Sequence, residues 1–266
     1  NINFSNWSNL EGDYTAGVPA AFGTVIPYYS RANGNWNTAT TWSNIGFGGT
    51  PSSTVPNSNV PVFIGDGGLF NHTVTVTTNG TIAGSLVIAA GSTLDCGTTT
   101  GNNFGALPYA TAGGNGKIRI SSSSSTAQFP AGDFGLFFLA SGGTAEYYGG
   151  STNFNIPLVT AAPTAMQIRS YRNLQISPSS SARIRMPEYD LDIYNDLTIS
   201  ALSGIGEATP NDVSTRTVTI YGNMNVTGGN FRFANAASQT ITINGNLTVN
   251  SGSTLALTNG SARVHN

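Results

Sequence analysis

Val218-Thr219-Ile220-Tyr221-Gly222-Asn223-Met224-Asn225-Val226 is followed, 23 residues on, by Ile241-Thr242-Ile243-Asn244-Gly245-Asn246-Leu247-Thr248-Val249. Set one above the other, the two stretches place apolar residues at the same four positions, polar residues between them, and a Gly-Asn bend in the middle. Alternation with a period of two is the mark of a strand that buries one face, and the bend turns one such strand into the next. A third copy, Leu191-Asp192-Ile193-Tyr194-Asn195-Asp196-Leu197-Thr198-Ile199, begins 27 residues before the first. A further face follows two of the copies, as Phe231-Arg232-Phe233 and Leu255-Ala256-Leu257, each introduced by a Gly-containing turn. A repeat of this length with three short faces specifies a solenoid. A single such coil exposes its backbone and its apolar interior above and below, so it gains stability only when coils stack.

Upstream the pattern continues less regularly, as Thr73-Val74-Thr75-Val76, Ser85-Leu86-Val87-Ile88 and Gly91-Ser92-Thr93-Leu94-Asp95-Cys96. The last of these matches Gly252-Ser253-Thr254-Leu255-Ala256-Leu257 and assigns Cys96 to an inward position, as a small core hydrophobe rather than a reactive thiol. Further strands are expected at Lys117 to Ile120, Leu136 to Leu139, Ala145 to Tyr148, Leu174 to Ile176 and Ile184 to Met186. The run Ser121 to Ser125 reads as a loop leaving the coil. No amphipathic helical stripe exceeds two turns, and 33 glycines interrupt most windows. The expected fold is all-β: a right-handed parallel β-helix, three-faced, over residues 60–266, with residues 1–59 as an N-terminal cap that holds all three tryptophans. The sequence stops in mid-pattern at Ser261-Ala262-Arg263-Val264-His265-Asn266, and the expectation is a β-helix that continues or is truncated there.

Charged residues make up 8 % of the chain, against about 25 % in an ordinary soluble domain. The formal net charge is −2 and no run of Lys or Arg occurs, so nothing neutralises phosphates or draws the chain to an acidic membrane. Nucleic acid is not an expected partner. No apolar stretch has the roughly 20 residues that a membrane-spanning helix requires, so direct membrane insertion is not expected either. A single cysteine excludes an internal disulfide.

The run Tyr28-Tyr29-Ser30-Arg31-Ala32-Asn33-Gly34-Asn35-Trp36-Asn37-Thr38-Ala39-Thr40-Thr41-Trp42-Ser43 resembles the opening of large surface proteins of gliding and other Bacteroidota exported by type IX secretion. Pro56, Val60 to Ile64, Val74 to Val76 and Leu86 to Leu94 resemble a G8-like β-helix start. Gly143-Thr144-Ala145-Glu146-Tyr147 and Tyr171-Arg172-Asn173-Leu174-Gln175-Ile176 resemble the repeats downstream. This resemblance implies adhesins or stalks on the cell surface, partnered by secretion-system or cell-surface proteins and by glycans, with sorting carried by a separate C-terminal domain.

Candidate sites were weighed against simpler roles. Asp190, Asp192 and Asp196 form an acidic cluster of the kind that β-helix polysaccharide lyases and hydrolases use. In the repeat alignment, however, they fall on Thr217, Thr219 and Asn223, which are ordinary outward and corner positions. Tyr28, Tyr29, Trp36 and Trp42, with Tyr147 and Tyr148, are the candidate ligand-binding residues, offering ring faces to sugars; the competing role is to close the end of the solenoid, since Trp buries much area per residue. His72 and His265 stand far apart without Cys partners, so no transition-metal site is expected. Gly65-Asp66-Gly67-Gly68 lacks a following helix or Lys and reads as a turn rather than a phosphate cradle. The sequons at Asn3, Asn6, Asn71 and Asn79 are read as by-products of an Asn/Thr-rich surface. No nucleophile elbow or Ser/His/acid set is present, and no cofactor is expected. The expected function is therefore an extracellular structural or adhesive module of a secreted cell-surface protein, without catalysis. The alternatives are a polysaccharide-acting β-helix enzyme and a glycan-binding solenoid.

Overall fold

The computed structural model describes residues 25–105, 112–140, 142–149, 152–157, 160–161, 166–167, 170–179, 182–187, 189–201, 207–209, 216–232 and 239–256. The three repeat copies lie directly over one another. Leu191, Val218 and Ile241 are in register, as are Ile193, Ile220 and Ile243, then Leu197, Met224 and Leu247, then Ile199, Val226 and Val249. All these pairings are parallel, so the chain is a parallel β-solenoid.

One face is a single nine-stranded parallel sheet. It runs through Gly34–Asn35, Thr73–Thr75, Thr93–Asp95, Lys117–Ile120, Thr144–Gly149, Asn173–Pro178, Leu197–Ser200, Met224–Gly228 and Leu247–Val249. A second face comes in two parts, Tyr28–Ser30 to Ala112–Gly113 and then Ser170–Tyr171 to Gln239–Ile243. The third stacks Phe154–Asn155, Arg183–Arg185, Glu207–Thr209, Asn230–Arg232 and Thr254–Ala256. Single bridges at Ile82, Asn103 and Ala131 extend it toward the N-terminal end.

The two parts of the second face are separated by a π-helical turn, Leu136–Ala140, which packs against both Ala112–Gly113 and Ser170–Tyr171. This corrects the strand expected at Leu136 to Leu139. A strand would send Phe137 and Phe138 to opposite faces, whereas the turn buries both and leaves Leu136 and Leu139 exposed. With Phe129, Phe134 and Tyr171 they form a chain of ring contacts inside the lumen, at centroid separations of 4.9 to 6.2 Å.

Inward positions are apolar and buried along the whole length, from Val62, Val74 and Leu94 through Ile118, Leu174 and Ile184 to Val218 and Phe231. Cys96 is one of them, and burial pushes its thiol well above its ordinary pKa, so it is inert as a nucleophile. At the last described level, Ile241 and Ile243 are half-buried, and Leu247 and Val249 are 48 % and 41 % exposed. Register sets their direction, but burial needs a further layer above them. The two Gly-Asn bends also follow from stacking. Gly245 N–H donates to Gly222 O, and Gly222 N–H to Asn195 O, each at 2.9 Å. A methyl group at either glycine would collide with the carbonyl beneath it.

Stacking starts before residue 60. Tyr28–Ser30 already pairs in parallel with Pro61–Ile64, and Gly34–Asn35 with Thr73–Thr75. The free edge of Tyr28–Ser30 is covered by the antiparallel strand Trp42–Ser43, which removes an open edge that would otherwise template pairing with another chain.

Candidate functional site

The six candidate aromatics separate by direction. Trp36 and Trp42 are 1 % and 0 % exposed, with ring centroids 5.0 Å apart in a T-shaped contact, and the Trp42 indole N–H donates to Trp36 O at 2.8 Å. Tyr28 is buried edge-on to Trp42 at 6.5 Å. These three rings pack into the lumen of the first described coil. Tyr147 is also buried, its hydroxyl 3.0 Å from that of Tyr171. Burial drives both phenols above their ordinary pKa. The reason is period two: Tyr147 shares the inward phase of Ile120 and Ile176, with which it pairs.

Only Tyr29 and Tyr148 point outward. Tyr29 stacks on Phe63 at 5.3 Å and meets Phe47 edge-on at 5.1 Å; Phe47 in turn stacks on Phe70. This satellite cluster pins the segments around Phe47 and Phe70 onto the outer surface of the sheet. His72 joins its margin, half-buried and 2.9 Å from Ser30 Oγ through Nδ1. Desolvation is the largest influence on it and lowers its pKa. Gly65–Gly68 is a turn held by Asp66, whose Oδ1 accepts the N–H groups of Gly68 and Phe70, and these donors lower its carboxyl pKa.

Tyr148 belongs to an outer-face network that the sequence reading missed. Asp95, Arg119, Glu146 and Gln175 are in register on four successive strands of the nine-stranded sheet. Arg119 donates through Nη1 to Asp95 Oδ2 and through Nε to Glu146 Oε2, both at 2.9 Å. Lys117 Nζ lies 3.2 Å from Glu146 Oε2 and donates to Gln175 Oε1 at 2.8 Å. The Arg119 guanidinium sits 3.9 Å above the Tyr148 ring, and the Tyr148 hydroxyl donates to Asp95 Oδ1 at 2.7 Å. Burial is the largest influence on the Tyr148 phenol and raises its pKa, so it stays protonated as the donor. Two carboxylates and two cations cancel in charge and are spent on one another. The only sequence signal was the outward phase of Lys117-Ile118-Arg119 and of Glu146-Tyr147-Tyr148, whose registers are not aligned by the 23-residue repeat.

Two members of the acidic cluster, Asp190 and Asp196, are backbone caps. Asp190 Oδ1 accepts Thr217 N–H at 2.7 Å. Asp196 Oδ1 accepts Asn223 N–H at 2.8 Å, and Asn223 Oδ1 accepts Asn246 N–H at 2.9 Å, so the corner is an amide-like ladder. Asp192 is a strand residue in register with Ser170 and Thr219. Asp196→Ala is expected to destabilise by about 1–3 kcal/mol, because Asn223 N–H loses its acceptor. Asp196→Asn keeps an acceptor oxygen and is expected to stay within about 0.5 kcal/mol of the parent. Urea midpoints compare the two, and equal midpoints for alanine and parent would remove the ladder from the account of the corner.

Among the described residues no group of three or more His, Cys, Asp or Glu is placed to hold a metal ion, and no helix is long and apolar enough to cross a membrane. An open cleft of about 510 Å³ beside Tyr28 and another of about 330 Å³ beside Trp36 are lined by apolar, Asn, Ser and Thr residues without a charged group, so neither converges an acid and a base. Compared with protein-family models, curated proteins and solved structures, the chain matches none.

Proposed function

We propose that this chain is a structural and adhesive rod of a secreted bacterial surface protein. The observation that carries the reading is the parallel stacking of coils with outward positions rich in Asn, Ser and Thr, and with the central charges of the long sheet neutralised in one internal network. The resemblance of Tyr28–Ser43 to the opening of type IX secretion substrates of Bacteroidota supports placement outside the cell, with cell-surface proteins or glycans as partners. The competing reading, a polysaccharide-acting enzyme, draws on the acidic residues Asp190, Asp192 and Asp196, two of which cap backbone N–H groups.

Beads coated with the purified chain are expected to adhere to cells or polysaccharide-coated surfaces. The triple change of Asp190, Asp192 and Asp196 to Asn is expected to leave that adhesion unchanged, and the chain to release no reducing ends or unsaturated sugars from acidic polysaccharides. Turnover that the triple variant abolishes would replace the adhesive reading by the enzymatic one.

A further inference from the structure

We propose that the corner bearing Arg172, Tyr194 and Tyr221 is the contact site for a neutral polysaccharide lying along the rod, an assignment that rests on the adhesive reading above. Tyr171, Ile193, Ile220 and Ile243 are in register on successive strands. The residues that follow them, Arg172, Tyr194, Tyr221 and Asn244, therefore form one outward column, and all four are exposed. At about 4.8 Å per strand the column is about 14 Å long, the scale of a short oligosaccharide.

Tyr194 and Tyr221 are the two aromatic residues among the exposed large hydrophobics of the described chain, at 41 % and 47 %, and they are neighbours: their rings lie 5.4 Å apart with an interplanar angle of 22°. They sit on the side of the rod, on layers stacked above and below, so an uncovered end does not account for their exposure. Gly222, and Gly245 on the next layer, leave bare backbone beside the rings. The Tyr hydroxyls and the Arg172 guanidinium make no hydrogen bond or ion pair with the described residues. This differs from Tyr148 and Arg119, whose hydroxyl and guanidinium are hydrogen-bonded to Asp95 and Glu146.

A cross-strand stack by itself stabilises a sheet, but that role requires neither hydroxyls nor a guanidinium left without a partner among the described residues. Aromatic surface packs against the C–H face of a pyranose, while phenol, guanidinium and amide groups bind its hydroxyls. Asp192 is in register with Ser170, two residues before Arg172, so one carboxylate and one guanidinium stand near one another with no net charge, which favours a neutral glycan over a polyuronate.

The test is equilibrium binding of the full chain to laminarin, xylan and mannan, with alginate as the acidic comparison. The parent is expected to bind at least one neutral polysaccharide. Tyr194→Ala with Tyr221→Ala is expected to weaken that binding roughly tenfold or more while the chain stays folded, its melting temperature lowered only by the few degrees that loss of one cross-strand stack costs. The corresponding double Phe variant, which keeps both rings, is expected to retain most of it. Binding by the parent that the double Ala variant retains overturns the site and leaves the adhesive reading in place. Adhesion to cells without binding to any of the neutral polysaccharides, or binding to alginate alone, also overturns the proposal. A parent that adheres to nothing defeats the adhesive reading itself.

Discussion

Trp42→Ala is expected to lower stability by roughly 3–5 kcal/mol, the cost of truncating a large buried aromatic. The ring is fully buried, packs edge-on against Trp36 and Tyr28, and closes the end of the lumen from the strand that covers the edge of Tyr28–Ser30. Its removal leaves a cavity bordered by Trp36 and also deletes the indole donor to Trp36 O. Urea denaturation read by fluorescence measures the loss. A parent-like midpoint combined with lost adhesion to a surface would mean that these rings contact ligand instead of sealing the coil.

Arg119→Ala is expected to cost about 1.5–3 kcal/mol, the range for hydrogen bonds to charged groups. It falls short of a fully buried ion pair because the Arg119 side chain is 25 % exposed and Lys117 remains on Glu146. Glu146 is the sensitive partner, since its side chain is only 4 % exposed and its negative charge must be matched in place. Arg119→Lys is expected to recover less than half of the loss, because an ammonium cannot reproduce the planar fork that reaches Asp95 and Glu146 while lying on the Tyr148 ring. A double-mutant cycle of Arg119 and Glu146 gives the coupling directly; a value near zero would show that the ladder contributes nothing to holding the layers.

The repeat copies made the lumen legible, because period-two alternation and the bend shared by the three copies determine both direction and register for Leu191 to Val249. Cys96 followed from the same alignment. Two things were hidden. The run Leu136-Phe137-Phe138-Leu139 has four apolar residues without alternation, and apolarity alone does not separate a strand from a helical turn. The charge ladder was hidden because Asp95, Arg119, Glu146 and Gln175 are separated by unequal intervals of 24, 27 and 29 residues, so their alignment depends on loops whose lengths carry no periodic signal. The tryptophans were legible as large apolar area near the first coil. Tyr147 was not separated from Tyr148 until its register with Ile120 and Ile176 assigned it inward.

The π-helical turn at Leu136–Ala140 changes how the rod carries load. A pull along the axis separates coil from coil, and each boundary resists with the hydrogen bonds of its three faces. At the level of this turn one face has no strand ladder among the described residues, so that level is the natural fracture plane. The Arg119, Glu146 and Gln175 ladder crosses the same level on the opposite sheet, joining Lys117–Ile120 to Thr144–Gly149 and then to Asn173–Pro178. The few charges of the chain thus act as a rivet where the laminate is thinnest, and tension reaches the distal coils through the long sheet and through the bridge of Thr126 to Asn155 on the third face.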